Sequence, residues 1–316
     1  MKRLPFLKSN ESDASAKTKK TALEGAPTGL ELTGELMVVF GTIILVLGIF
    51  LWWHYIASNP KRVFTGMLNT ALQTSSGAVH ITQTAGGQSL DQAVTFNLAG
   101  QHVTHAATAL TQAANLAQTE TIGTPFQDYV RYTAIRTSQR SASGKPLTFS
   151  GVIGVWGTAA AATSSSNGQL YNQVVLGVIP FGNLAETQRA QLLKLMQPVY
   201  MVNYDTMLRK IVHGRPTYTY TVQVMPEPYV IMLKQYGVDT GLTQLAQLNP
   251  ASYNGSAPLV FTVTVDVWSR QLQAITYGDS NRVEHFSQFG QSVPPLTIPS
   301  HTVSIDELQS RLQTVQ

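Results

Sequence analysis

One run constrains this chain before anything else: residues 36–53 carry no charged side chain and hold twelve Leu, Ile, Val and Phe residues. Near the centre of a membrane-inserted helix those residues contribute roughly −5 kcal/mol, and no ionised group offsets the gain. With residues 54–57 in the far interface the run is 22 residues long, and at about 1.5 Å per residue that spans a hydrocarbon core of about 30 Å. The prediction is a single transmembrane helix over residues 35–57. Its membrane-spanning residues are Leu36, Val39, Phe40, Ile43, Leu47, Phe50, Trp52 and Trp53. Trp52, Trp53 and Tyr55 mark the end that meets the headgroups, and Glu31 and Glu35 bound the other.

A cleaved signal peptide is the competing reading of such a run. About 35 residues precede it, however, it is too long for a signal core, and no convincing small-residue cleavage site follows Trp53 closely. The chain has no cysteine, which excludes both a lipidated N-terminal cysteine and stabilising disulfides. Lys2, Arg3, Lys8, Lys17, Lys19 and Lys20 precede the run, whereas only Lys61 and Arg62 follow it before Asp91. Positive charge inside then predicts a cytoplasmic N-terminus and an extracytoplasmic C-terminal domain at the plasma membrane. Residues 1–34, rich in Lys, Ser, Thr, Ala and Glu, read as a disordered cytoplasmic tail. Gly34, Gly41 and Gly48 recur every seven residues, which keeps them near one helix face and offers a surface for helix association.

The residues that follow are enough for one large or two small domains; residues 58–300 are taken as the exported domain and 301–316 as a C-terminal helix. From Lys61 onward 15 basic positions face 12 acidic ones. A surface so sparsely charged is not built to follow phosphates, and a nucleic-acid partner is excluded. Residues 60–74 have helical spacing. The period then changes to two, with strands predicted around 79–81, 94–98, 103–110 and 129–137. Further strands are expected over 149–156 and 170–179, joined by a flexible loop over 159–168 that is a candidate domain seam. Asn183 and Glu186 have capping-box spacing before a helix that ends near Pro198. Alternation returns at 218–224, a helix follows over 228–236, and strands are expected over 259–267, 272–277 and 282–289. Ser304 and Glu307 open a last helix.

This layout resembles the lipoprotein-carrier (LolA-like) and mycobacterial LppX/LprG-like half-barrels. The resemblance is carried by Phe261-Thr262-Val263-Thr264-Val265-Asp266, by Arg270-Gln271-Leu272, and by Phe286-Ser287-Gln288-Phe289-Gly290 leading to Val293-Pro294-Pro295. It implies an α+β fold in which a curved antiparallel sheet, a half-barrel, packs over helices around an apolar cavity for acyl chains, and with it a lipid or lipoprotein ligand. The chain departs from the lipidated members in lacking their lipobox cysteine, and a permanent anchor prevents free shuttling.

No catalytic, nucleotide or metal motif is present: H-E-x-x-H, G-x-S-x-G and P-loop patterns are all missing. His102 and His105 are three apart, which on a strand puts them on opposite faces. Asp205, Lys210 and His213 have no spacing that implies chemistry, and neither an enzyme nor a cofactor is predicted. Tyr129 to Arg136 interleaves Arg131 and Arg136 with Tyr129 and Tyr132, a pattern that suits the solvated face of a sheet. Tyr200, Tyr204, Tyr218 and Tyr220, with Met225 and Met232, are the candidate cavity-lining residues, although the same residues also suit ordinary packing. Two functions follow. One is a noncatalytic membrane-anchored envelope protein that binds an apolar ligand or lipidated partner; the other is a scaffold or subunit of a surface assembly with a filled core.

Overall fold

The computed structural model describes residues 29–52, 58–100, 102–158 and 168–315, with side chains from Phe40 onward in the first segment. It divides into two compact units, Met1–Trp53 and His54–Gln316. The first contributes one helix, α1 (Gly29–Trp52). Among the described residues, no helix is long and apolar enough to cross a membrane. Phe40, Ile43, Leu47, Phe50 and Trp52 are exposed along α1, and a side chain added at Gly41 or Gly48 would meet open space. The side chains of Leu36 and Val39, Trp53, the tail over 1–28 and the seam over 159–167 lie outside the described residues.

The second unit runs α2 (Pro60–Gln73), β1 (Ser76–Ala85), β2 (Gln88–Asn97), β3 (Val103–Gln112), β4 (Asn115–Gly123), β5 (Asp128–Arg136) and β6 (Trp156–Thr158). It continues with α3 (Gln169–Val175), α4 (Glu186–Met196), β7 (Tyr200–Val212), β8 (Arg215–Val224) and α5 (Pro226–Thr240). After two short 3-10 turns come β9 (Leu259–Asp266), β10 (Leu272–Tyr277), β11 (Arg282–Ser287), β12 (Val303–Ser304) and α6 (Ile305–Gln313). The strands form one open curved sheet in the order β12-β6-β5-β4-β3-β2-β1-β11-β10-β9-β8-β7. Every pair is antiparallel except β12 with β6. Register shifts at Gln118/Thr119, Asn203/Leu208 and Leu272/Ala274 are the bulges that bend strands and increase their twist.

Alternation decides which face is covered. Phe261, Val263 and Val265 of β9 are buried, while Thr264 on the other face shares a 3.0 Å hydrogen bond with Thr219. The inward residues meet α2, whose buried stripe is Val63, Phe64, Met67, Leu68, Ala71 and Leu72. At the centre Phe181 packs against Phe96, Phe286 and Phe289 with ring centroids 5.1, 5.5 and 6.0 Å away. Most of the space between sheet and helices is thus filled by side chains. Gly237 is another tight point, since an added Cβ would lie 2.7 Å from the Leu245 Cβ and 2.9 Å from the Leu242 carbonyl oxygen. Gly237→Ala is expected to destabilise the unit by about 1–3 kcal/mol through overpacking, read as a lower thermal midpoint.

Several expectations are corrected. Residues 149–155 form a turn-rich segment with one isolated bridge, Ile153 to Tyr132, and only Trp156–Thr158 forms a strand, because Gly154 adopts φ 81° and interrupts the run. The strand expected over 170–179 is instead the helix α3. Its Leu170 amide donates to the Asp128 carboxylate at 3.1 Å, and Leu170, Tyr171, Val174 and Val175 are buried. A run this apolar has no period that separates helix from strand. The N-cap of α4 is Ala185, whose amide donates to the Gln188 side chain at 3.0 Å, rather than Asn183. The cap of α6 is as predicted: the Glu307 amide donates to the Ser304 hydroxyl at 3.0 Å.

Candidate functional site

Beside the packed core, an apolar groove of about 470 Å³ lies between α2, α4 and the edge strand β7. Its α2 wall begins where the Asn59 side chain accepts the Arg62 amide at 3.3 Å, with Pro60 opening the helix. That start directs Phe64 and Leu68 into the groove. Leu193 and Met196 come from α4. Tyr200, Val202 and Tyr204, alternate residues of β7, come from the sheet. Phe64 meets Tyr200 and Tyr220 edge-on, at 6.0 and 5.4 Å, and the Tyr200 hydroxyl donates to the Val178 carbonyl at 2.8 Å.

The groove's electrostatics are simple. Burial raises the Tyr200 and Tyr204 phenols above their ordinary value, so both stay neutral. The described lining contains no acid and no histidine; its charges are Lys61 and Lys194, both exposed. A recess of this size falls in the range of small-molecule sites. Apolar walls with ammonium groups at the rim suit a hydrocarbon chain ending in a negative headgroup.

The predicted cavity residues separate into three groups. Tyr200 and Tyr204 line the groove. Tyr218 and Tyr220 stand behind it and tie down the entry to α2, their hydroxyls donating to the Ser58 carbonyl at 2.8 Å and the Pro60 carbonyl at 3.0 Å. Met232 has no exposed surface and fills the core, while Met225 caps the N-terminus of α5. Neither methionine lines the groove.

The other polar candidates are dispersed. His102 precedes β3 with φ 47°, its Nδ1 3.5 Å from the Tyr171 hydroxyl. His105 instead lies 2.9 Å from Glu120, which also accepts from Arg131 Nε at 2.8 Å. Burial pushes the Glu120 carboxyl up, but those two partners outweigh it and hold the group below its ordinary value. Arg131 in turn stacks on Trp156 at 4.6 Å. Asp205 sits in the β7 bulge and His213 at the far tip of the same hairpin, about 25 Å apart at the rise of a strand. Among the described residues no cluster of three metal-ligating side chains occurs.

Sequence reasoning missed a charged pair on the covered side of the sheet. Arg282 donates to Glu284 at 2.7 Å and also meets the Gln173 amide oxygen of α3 at 2.6 Å in the amide orientation that satisfies both groups. The signal was present: Arg282, Glu284 and Phe286 alternate along β11, so a buried Phe286 places both charges inside. Lys194 and Leu193 were missed for a different reason, since nothing local relates α4 to β7.

No family model matches the chain. No curated protein matches it either. Among solved structures it is similar to LprF from Mycobacterium bovis, with TM-score 0.38 and 13% identity, over 77% of this chain and 98% of that one. It is also similar to the MucA/MucB complex of Pseudomonas aeruginosa, with TM-score 0.26 and 10% identity, over 82% of this chain and 62% of that one. At these TM-scores neither likeness transfers a site residue.

Proposed function

We propose that this chain is a noncatalytic, single-pass membrane protein of the cell envelope that holds an acyl chain in the α2–α4–β7 groove. Residues 35–57 cross the bilayer with the N-terminus in the cytoplasm, a reading supported by the uncharged run and by the lysines before it. The observation that carries the ligand is the groove itself: about 470 Å³, lined by Phe64, Leu68, Leu193, Met196, Tyr200 and Val202, with Lys61 and Lys194 at its rim. The ligand class is a lipid or the lipid moiety of a modified protein. With the chain anchored, cargo is held or handed over at the membrane.

The test is native mass spectrometry of the full chain extracted from membranes, compared with Val202→Trp, which puts an indole into the groove from a half-buried position on β7. The expected outcome is a retained lipid adduct in the parent that drops at least about tenfold in the variant, the equivalent of about 1.4 kcal/mol. Equal adducts in both would show lipid bound elsewhere and refute the groove. The second reading, a scaffold with no small ligand, is favoured by the filled centre around Phe181. It predicts no adduct in either protein.

A further inference from the structure

The second unit has one end at which cations and exposed apolar side chains coincide with the point where the chain enters it. Ser58 and Pro60 are fastened by the hydroxyls of Tyr218 and Tyr220. The Arg209 guanidinium lies over the Tyr218 ring at 5.2 Å, and the Arg270 side chain packs 3.2 Å from the Cβ position of Gly66 on α2. The β7–β8 hairpin tip and the β9–β10 turn therefore share one rim with the start of α2. On that rim Ile211 is 79% exposed and Trp268 is 53% exposed. Arg215 ion-pairs with Asp266 at 3.0 Å and reaches the Trp268 ring at 5.8 Å.

The charges there have one sign. Lys61, Arg62, Arg209, Lys210 and Arg215 are all exposed. The one acid of residues 208–217 and 264–271 is Asp266, which is fully buried and already paired with Arg215. Six of the 15 cations from Lys61 onward, these five and Arg270, lie at this rim, although the unit as a whole is nearly balanced. An isoleucine and a tryptophan among cations match the interfacial layer of a bilayer, where indole rings favour the headgroup level and Lys and Arg meet anionic lipid.

We propose that this rim, comprising the tip at Ile211, the turn at Trp268 and the cations around them, rests on the membrane surface and binds anionic lipid headgroups. The inference rests on the proposed membrane span. That span ends at residue 57, and Ser58 follows it directly. Whatever face carries Ser58 is thereby kept near the bilayer, and the basic, apolar rim is that face. Binding here would also place Lys61, at the mouth of the groove, beside the lipid it is to receive.

Because the chain has no cysteine, a single thiol can report position. The full chain carrying Ile211→Cys, or Thr84→Cys at the opposite end of the sheet, is labelled with an environment-sensitive dye and reconstituted into phosphatidylcholine vesicles with or without phosphatidylglycerol. With phosphatidylglycerol, the dye at 211 is expected to shift to the blue and be quenched by a headgroup-level lipid quencher at least about threefold more than the dye at 84. Adding Arg62→Glu and Lys210→Glu should abolish the dependence on anionic lipid, each charge being worth about fivefold in surface affinity. A chain that floats with the vesicles but shows equal quenching at 211 and 84 overturns the docking rim and leaves the membrane span intact. A chain that does not float with vesicles overturns both.

Discussion

Arg282→Met is expected to cost the second unit about 3–5 kcal/mol, the loss that follows when one partner of a buried ion pair is removed. Glu284 is 6% exposed and takes its charged hydrogen bond from Arg282. Burial raises its carboxyl above the ordinary value even though Arg282 and the Tyr277 hydroxyl oppose the shift. Without the guanidinium, that carboxyl must take up a proton or remain charged among Ile81, Phe286 and α3. The double variant Arg282→Met/Glu284→Leu should recover most of the loss, because a buried pair is often no better than apolar residues of similar volume. Urea midpoints for the two single variants and the double variant would decide it; an Arg282→Met midpoint equal to the parent's would refute the account.

The pH dependence has a definite sign. The folded-state pKa of Glu284 is raised, so the folded protein binds this proton more tightly than the unfolded chain does. Its contribution is present below the unfolded carboxylate value and is lost as pH rises through the folded one. Removing Arg282 raises the folded value further and extends that window upward. Arg282→Met is therefore expected to lose less stability relative to the parent at pH 5 than at pH 7.

Phe181→Ala is the second large effect, expected at about 3–5 kcal/mol from lost transfer energy plus the cavity left behind. Phe181 is 1% exposed and joins Phe96 of β2 to Phe286 of β11 and Phe289 beyond it. Its backbone contacts survive the substitution: the amide donates to the Val175 carbonyl at 2.9 Å, and the carbonyl accepts the Tyr236 hydroxyl. The cost therefore reports packing alone, and Phe181→Leu, which keeps most of the volume, should cost much less. A thermal midpoint for Phe181→Ala within a degree of the parent would mean that the centre is not packed as described.

Strands with one wet and one covered face were legible from their residues, and β8 and β9 show why. Their Thr and Tyr or Val positions alternate cleanly, so period and burial coincide. β4 was missed because Gln118, Thr119, Glu120 and Thr121 leave neither face distinctly apolar. β7 was missed because the bulge between Asn203 and Leu208 breaks its alternation and its distal half carries Arg209 and Lys210. At the site, the aromatic half of the groove could be read from Tyr200 and Tyr204. The α4 half could not, because its distance from β7 is set by the turn around Pro198 and by packing on α2. Met225 and Met232 illustrate the limit of composition: methionine suits an adaptable cavity and a dense core equally well, and here one caps a helix while the other fills the core.

The pairing of β1 with β11 also has a temporal consequence. Val79 lies opposite Phe286, and closing a contact across about 200 residues is slow compared with forming hairpins. The first five strands of the second unit can zip up hairpin by hairpin as they emerge. The edge of β1, and the Phe96 surface beside it, must wait for nearly the last residues of the sheet. Until then the half-made sheet exposes an unpaired strand next to a large apolar face, the state in which such chains aggregate. Truncation just before β11 should therefore leave a species that needs a chaperone, whereas loss of α6 should not.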